Sequence, residues 1–206
     1  MQFIEFQKIF IKHLIFSLLD IRKVYPDFSH RQLNRWKEKG YLIKIRQGYY
    51  SLLEKDLDRN FLLYASNRIY SPSYISLEMA LSYYNLIPEE VFQITSVSTK
   101  KTIDFQTPIG NFVYRHLKQS IFFGYKLVEY DKQHNIMIAE PEKALLDYFY
   151  LNPRIFSGDD FIETRINQDE FDNQINLKTF KNYLSNFGNK SLVKRMEIFL
   201  DVIQHA

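Results

Sequence analysis

The chain has 206 residues, enough for one or two domains with a real core, and its 46% hydrophobic and 25% charged content is ordinary for a globular protein. It contains no Cys, which excludes disulfides, thiolate zinc sites and Cys nucleophiles and agrees with a reducing compartment. The net charge of +3 is unevenly held: residues 1–55 carry 11 Lys+Arg against 5 Asp+Glu, and the remainder 16 against 19.

The basic excess therefore lies wholly in the first segment, the pattern of a polyanion-binding module joined to a different kind of domain. Glu5, Lys8 and Lys12 interrupt the N-terminal stretch before an apolar signal region can form. No uncharged run approaches the roughly 20 residues of a membrane-spanning helix. A cytoplasmic protein with no membrane association is expected.

Residues 1–16 place Phe3, Phe6, Ile9, Phe10, His13 and Leu14 on one face, as in an amphipathic helix. The stretch that follows, FSLLDIRKVYPDFSHRQLNRWKEKGYLIKIRQGYYSL, reads as helix, turn, helix and β-ribbon. Ser17 and Ser29 are placed to cap the two helices, with Asp20 and Gln32 three residues on and the apolar pairs Phe16/Ile21 and Phe28/Leu33 as staples. Pro26 and Gly40 stop them. Leu18, Leu19, Ile21 and Val24 of the first helix and Leu33 and Trp36 of the second are expected in the core.

With Leu33 and Trp36 inward, the opposite face of the second helix carries Arg31, Asn34, Arg35 and Glu38, with His30 at its flank. Arg and Asn suit bidentate contacts with guanine and adenine, and a recognition helix enters the major groove by its first turns. Strands at 41–45 and 49–52 would form a wing around Arg46-Gln47-Gly48, putting Lys44 and Arg46 near phosphates. His30, Arg31, Asn34, Arg35, Lys44 and Arg46 are therefore the candidate DNA-binding residues. A helical bundle with a solvated basic face is the alternative for the same pattern.

A domain boundary is expected at 56/57, giving domains 1–56 and 57–206, with the charged residues 53–60 as the join, inside a connecting helix expected to run to residue 69. Ser76 can cap a short helix at 77–84. Residues 91–99 are β-branched and uncharged, like a central strand, and two hairpins follow at 103–117 and 125–139. Pro141 starts a helix to about 151, with Ala144, Leu145, Leu146 and Phe149 inward and Asp147 potentially buried. Asn176 can cap a helix at 177–187 before Gly188, and Leu192, Val193, Met196, Leu200 and Ile203 form a long apolar stripe in the helical remainder. The fold class is α+β, a winged helix-turn-helix followed by a mostly antiparallel sheet with C-terminal helices.

Signals for catalysis are weak. His13, His30, His116, His134 and His205 lack metal-ligand spacing, the six glycines are scattered singly, and no G-x-S-x-G elbow occurs. Asp104, Glu129 and Asp131 fall on or near strands without the E-x-K tripeptide of a metal-dependent nuclease; Glu140-Pro141-Glu142-Lys143 comes nearest. No enzyme, metal or cofactor is expected. Lys100, Lys101, Arg115 and Lys118, with His116, are candidates for a second basic surface.

Three segments, KGYLIKIRQGYYSL, SYISLEMALSYYNLIPE and IAEPEKALLDYFYLNP, make residues 10–155 resemble the AbiEi-type antitoxins of type IV toxin–antitoxin systems. The resemblance implies a bifunctional protein. Its N-terminal winged helix would bind inverted repeats at its own promoter and repress the operon, and its second domain would counteract a nucleotidyltransferase-like toxin without a stable complex. The DNA role falls on His30, Arg31, Asn34, Arg35, Lys44 and Arg46; no toxin-neutralising residue carries over. The competing reading is a winged-helix regulator whose second domain senses a ligand or protein.

Overall fold

The computed structural model describes residues 2–53 and 57–205. Its first unit is built on aromatic residues: Phe6 and Phe10 of α1 (Phe3–Phe10), Phe16 of the short strand β1 (Phe16–Ser17), Ile21 of α2 (Leu18–Val24), Phe28, and Leu33 and Trp36 of α3 (His30–Glu38) close one core with Leu42, Tyr50 and Leu52. The first helix is shorter than its amphipathic pattern because Phe16 is drawn into a strand opposite Tyr50. Ser17 caps α2 with a full capping box, its hydroxyl accepting the Asp20 N–H while the Asp20 carboxylate accepts the Ser17 N–H at 2.9 Å. Ser29 caps α3 through the Arg31 N–H alone, and the box expected with Gln32 does not form. Gly40, at φ +71°, ends that helix in a backbone conformation L side chains rarely adopt. Two core expectations fail: Leu19 is 72% and Val24 47% exposed, so Ile21 is the fully buried residue of α2.

Strands β2 (Leu42–Arg46) and β3 (Tyr49–Leu52) complete a three-stranded antiparallel sheet in the order β1-β3-β2. This sheet has two working faces. Leu42, Phe16, Tyr50 and Leu52 face the aromatic core, whereas Ile43, Ile45 and Tyr49 pack on the second, larger core, which also takes Leu14 and Ile15. The Ser51 hydroxyl donates to the Leu14 carbonyl at 2.7 Å on that side. The expected boundary at 56/57 borders residues 54–56, which lie outside the described residues.

The connection is not helical through 57–58: α4 (Arg59–Ile69) starts at Asp58, whose carboxylate accepts the Phe61 N–H at 2.6 Å. A six-stranded sheet follows in the order β6-β7-β5-β4-β9-β8, from β4 (Ser73–Ile75), β5 (Ile94–Ser98), β6 (Ile103–Thr107), β7 (Gly110–His116), β8 (Tyr125–Asp131) and β9 (His134–Ala139). The two hairpins are antiparallel as expected, and so is β4/β5, but β5/β7 and β4/β9 are parallel, making the sheet mixed. The short strand β4 is the added element that joins the hairpins into one sheet.

Helices α5 (Leu77–Tyr83) and α6 (Pro141–Leu151) pack with this sheet, and α7 (Gly158–Glu163), α8 (Gln168–Gln174), α9 (Leu177–Asn186) and α10 (Lys190–Gln204) close the C-terminal side. Ala144, Leu145, Leu146 and Phe149 of α6 are buried, as are Leu192, Met196 and Ile203 of α10. Arg195 of α10 donates to the carbonyls of Phe149, Asn152 and Ile155 at 3.0, 3.2 and 3.0 Å, meeting acceptors that the end of α6 cannot satisfy internally. Among the described residues no helix is long and apolar enough to cross a membrane.

Candidate nucleic-acid interface

The candidate DNA-binding residues begin on α3. Leu33 and Trp36 anchor the helix, with the Trp36 ring centroid 4.7 Å from that of Phe6 and 5.7 Å from that of Phe28. Arg31, Asn34 and Arg35 are exposed on the other side, and no ion pair holds either guanidinium among the described residues. His30 is exposed and lies 3.2 Å from the Tyr50 hydroxyl, which ties the first turn of α3 to β3. Lys44 is the ladder partner of Tyr50 and so shares its face of the ribbon, beside that tie. His30 and Lys44 thus both neighbour Tyr50, whereas Arg31, Asn34 and Arg35 share the exposed face of α3.

Arg46 does not join them. The register shifts between Lys44 and Arg46, and this bulge turns the end of β2 toward the second core. Arg46 Nη1 donates to the Ile69 carbonyl at 2.6 Å, and its guanidinium lies 3.9 Å from the Phe105 ring centroid on β6. Arg46 instead clasps the second core, where a carbonyl and an aromatic face both favour the guanidinium.

The residues expected in a second basic surface border three different clefts. Lys100, Lys101 and His116 border one cleft, with His116 Nδ1 3.0 Å from the Lys100 carbonyl and the Tyr70 hydroxyl donating to the Lys101 carbonyl at 2.9 Å. Arg115 borders a different cleft of ≈ 610 Å³ with Glu78, Glu90, Gln93 and Asn111. Lys118 lies in a third hollow near Tyr150 and Lys190. Alternation along β7 sends Arg115 and His116 to opposite faces, which separates neighbours in sequence.

The second and third resemblance segments meet in a buried polar network. Asp147 and Lys143, both fully buried, are ion-paired one turn apart on α6. Asp147 Oδ2 accepts the Tyr74 and Ser76 hydroxyls, each at 2.9 Å, and Lys143 Nζ donates to the Tyr74 oxygen at 2.9 Å. Burial pushes the Tyr74 phenol well above its ordinary pKa, reinforced by the Asp147 carboxylate, so the phenol keeps the proton it donates. Burial likewise raises Asp147 and lowers Lys143, each opposed by the other's charge. Gly124, at φ +70°, roofs the site: an added Cβ would stand 3.0 Å from the Tyr183 ring and 3.1 Å from Lys143 Cγ.

Ser76 is free for this role because Thr95 caps α5 in its place, accepting the Met79 N–H at 3.0 Å and donating to the Ser76 carbonyl at 2.8 Å. Leu77, at φ +59°, takes up the resulting sharp turn. The remaining polar groups of the Glu140–Lys143 run are similarly engaged: Glu140 accepts from the Tyr183 hydroxyl, and Glu142 accepts the Asn176 N–H at 2.8 Å.

No protein-family model matches the chain, and no curated protein matches it.

Chain order hides most of the network, since Tyr74 and Ser76 lie far from α6 in sequence. One signal was present: Lys143 and Asp147 are four apart in an otherwise apolar helix, the spacing at which opposite charges meet.

Proposed function

We propose that the protein binds duplex DNA through the first turns of α3 and acts as an autorepressor and type IV antitoxin. The observation that carries the DNA half is the capped α3, locked by Leu33 and Trp36, with Arg31, Asn34 and Arg35 outward. These are the side chains suited to purines in the major groove, and His30 and Lys44, both beside Tyr50, add positive or donor groups near the wing. The concentration of positive charge in residues 1–55 supports it. The antitoxin half is supported by the resemblance, whose second and third segments pair through Tyr74, Ser76, Lys143 and Asp147 as parts of one structural unit.

The test has two parts. Retardation of the protein's own upstream DNA, weakened by Arg31→Ala or Arg35→Ala, is the expected result, and no retardation at low salt overturns the repressor role. Growth rescue on co-expression with a nucleotidyltransferase-like toxin encoded beside it is the second expectation, and failure of rescue overturns the antitoxin role. A ligand-sensing regulator is favoured by one feature, the cleft that brings Glu78, Glu90 and Arg115 together. The absence of any such neighbouring toxin gene would decide for it.

A further inference from the structure

A cleft of ≈ 560 Å³ lies on the seam between the two cores, bordered by Ser17, Asp20, Arg22 and Lys23 around α2, Tyr49 of β3, and Arg68 and Ser71 at the end of α4. Its charge is lopsided, with three cationic side chains against one carboxylate. That carboxylate is already committed: Asp20 accepts the Ser17 N–H and hydroxyl at 2.9 and 2.7 Å and pairs with Lys23 at 3.3 Å. Arg22 and Arg68 are exposed, and neither forms an ion pair with a described carboxylate. Two guanidiniums from different cores thus border one concavity, beside the hydroxyls of Tyr49 and Ser71.

We propose that this seam cleft is a phosphate-binding site, in which Arg22 and Arg68 hold a phosphate group from its two sides. Planar guanidiniums donate in parallel pairs to phosphate oxygens, and the hydroxyls supply the neutral donors such a site uses. The phosphate has two sources, the DNA backbone or a soluble phosphate ester. The backbone is the favoured one, because α2 is the first helix of the helix-turn-helix pair, the helix that crosses the DNA backbone. The site assigns Arg68, in the second domain, a contact that the winged helix alone does not contain.

The experiment uses the full chain, with Arg22→Ala, Arg68→Ala, Arg68→Lys and a distant control, Lys181→Ala. In one arm, fluorescence anisotropy follows binding to the upstream duplex and to a random duplex across a salt series. Each Ala variant is expected to lower the slope of log K against log salt by about 0.9 and to weaken both duplexes by the same factor. In the other arm, inorganic phosphate and pyrophosphate are titrated while the unfolding midpoint is read. Saturable stabilisation that the Ala variants lose, with unchanged duplex binding, assigns the site to a soluble ester. If Arg68→Ala fails to fold, Arg68→Lys keeps the charge and loses the fork, and is expected to show the smaller loss in the same arm. Should the wild type bind no duplex, the DNA reading falls and the phosphate arm decides the site by itself. Variants indistinguishable from wild type in both arms overturn the proposal, as does a wild type that responds to neither probe.

Discussion

Replacing Asp147 by Asn would test whether the buried network holds α6 to the sheet. The carboxylate is fully buried and receives Tyr74, Ser76 and Lys143. An amide keeps the shape and an acceptor for the two hydroxyls, but it removes the only described anion paired with the Lys143 ammonium, which is itself fully buried. Breaking one side of such a pair costs about 3–5 kcal/mol, because the remaining charge is left uncompensated. In a chain of this length that is a fall in Tm of roughly 6–20 °C. Lys143→Met should cost less than Asp147→Asn, since the carboxylate retains two hydroxyl donors and burial already raises its pKa toward the neutral form. The double variant Lys143→Met/Asp147→Leu removes both charges and should lie within about 2 kcal/mol of wild type. Urea unfolding of wild type, Lys143→Met, Asp147→Leu and the double variant gives the cycle directly. Singles that each cost under about 1 kcal/mol, or a double equal to their sum, would refute the reasoning.

Four further outcomes are expected. Arg31→Ala and Arg35→Ala should each weaken binding to the operator by about 1–3 kcal/mol while leaving the unfolding midpoint in place, read by anisotropy and thermal melts. Arg46→Ala should lower stability by about 1–2 kcal/mol through loss of the Ile69 carbonyl bond and the Phe105 contact, with no change in the salt slope of DNA binding; a slope reduced by about 1 would return Arg46 to the phosphate backbone. Trp36→Ala should cost about 3–5 kcal/mol in urea unfolding by opening a cavity under α3. Burial pushes the Asp20 carboxyl up, but the Ser17 bonds and Lys23 outweigh it, so its folded pKa lies below the ordinary value. Its stabilising share is therefore fully present above the unfolded carboxylate pKa and is lost as pH falls through the depressed folded one. Asp20→Asn should flatten the acid limb of the stability profile there.

Local chemistry was the readable part. The Ser17 box, the Ser29 cap, the Gly40 stop, both hairpins of the large sheet and the Pro141 start depend on residues within a few positions of one another. What escaped depends on distant partners. The strand β4 has three residues behind a proline, too few for a period to register, and its place is set by β5 and β9. Ser76 looks like a cap until Thr95 arrives from another strand. Arg46 looks like a wing-tip cation because the bulge that redirects it leaves no mark in the alternation of residues 42–46. Leu19 and Val24 look like core because a seven-residue helix has room for several apolar stripes. At the interface, the α3 row followed directly from Leu33 and Trp36, whereas the seam cleft needs both cores in place before Arg22 and Arg68 can be seen together.

The small sheet is a party wall: one row of its side chains belongs to the aromatic core and the next to the larger one. Cutting the chain after residue 53 would strip Ile15, Ile43, Ile45 and Tyr49 of their neighbours and lay bare a greasy face of the small sheet. A transplant of the first unit onto a foreign partner would inherit the same debt. The wall makes the two halves co-tenants, so changes on its far side must keep step with the row that faces them.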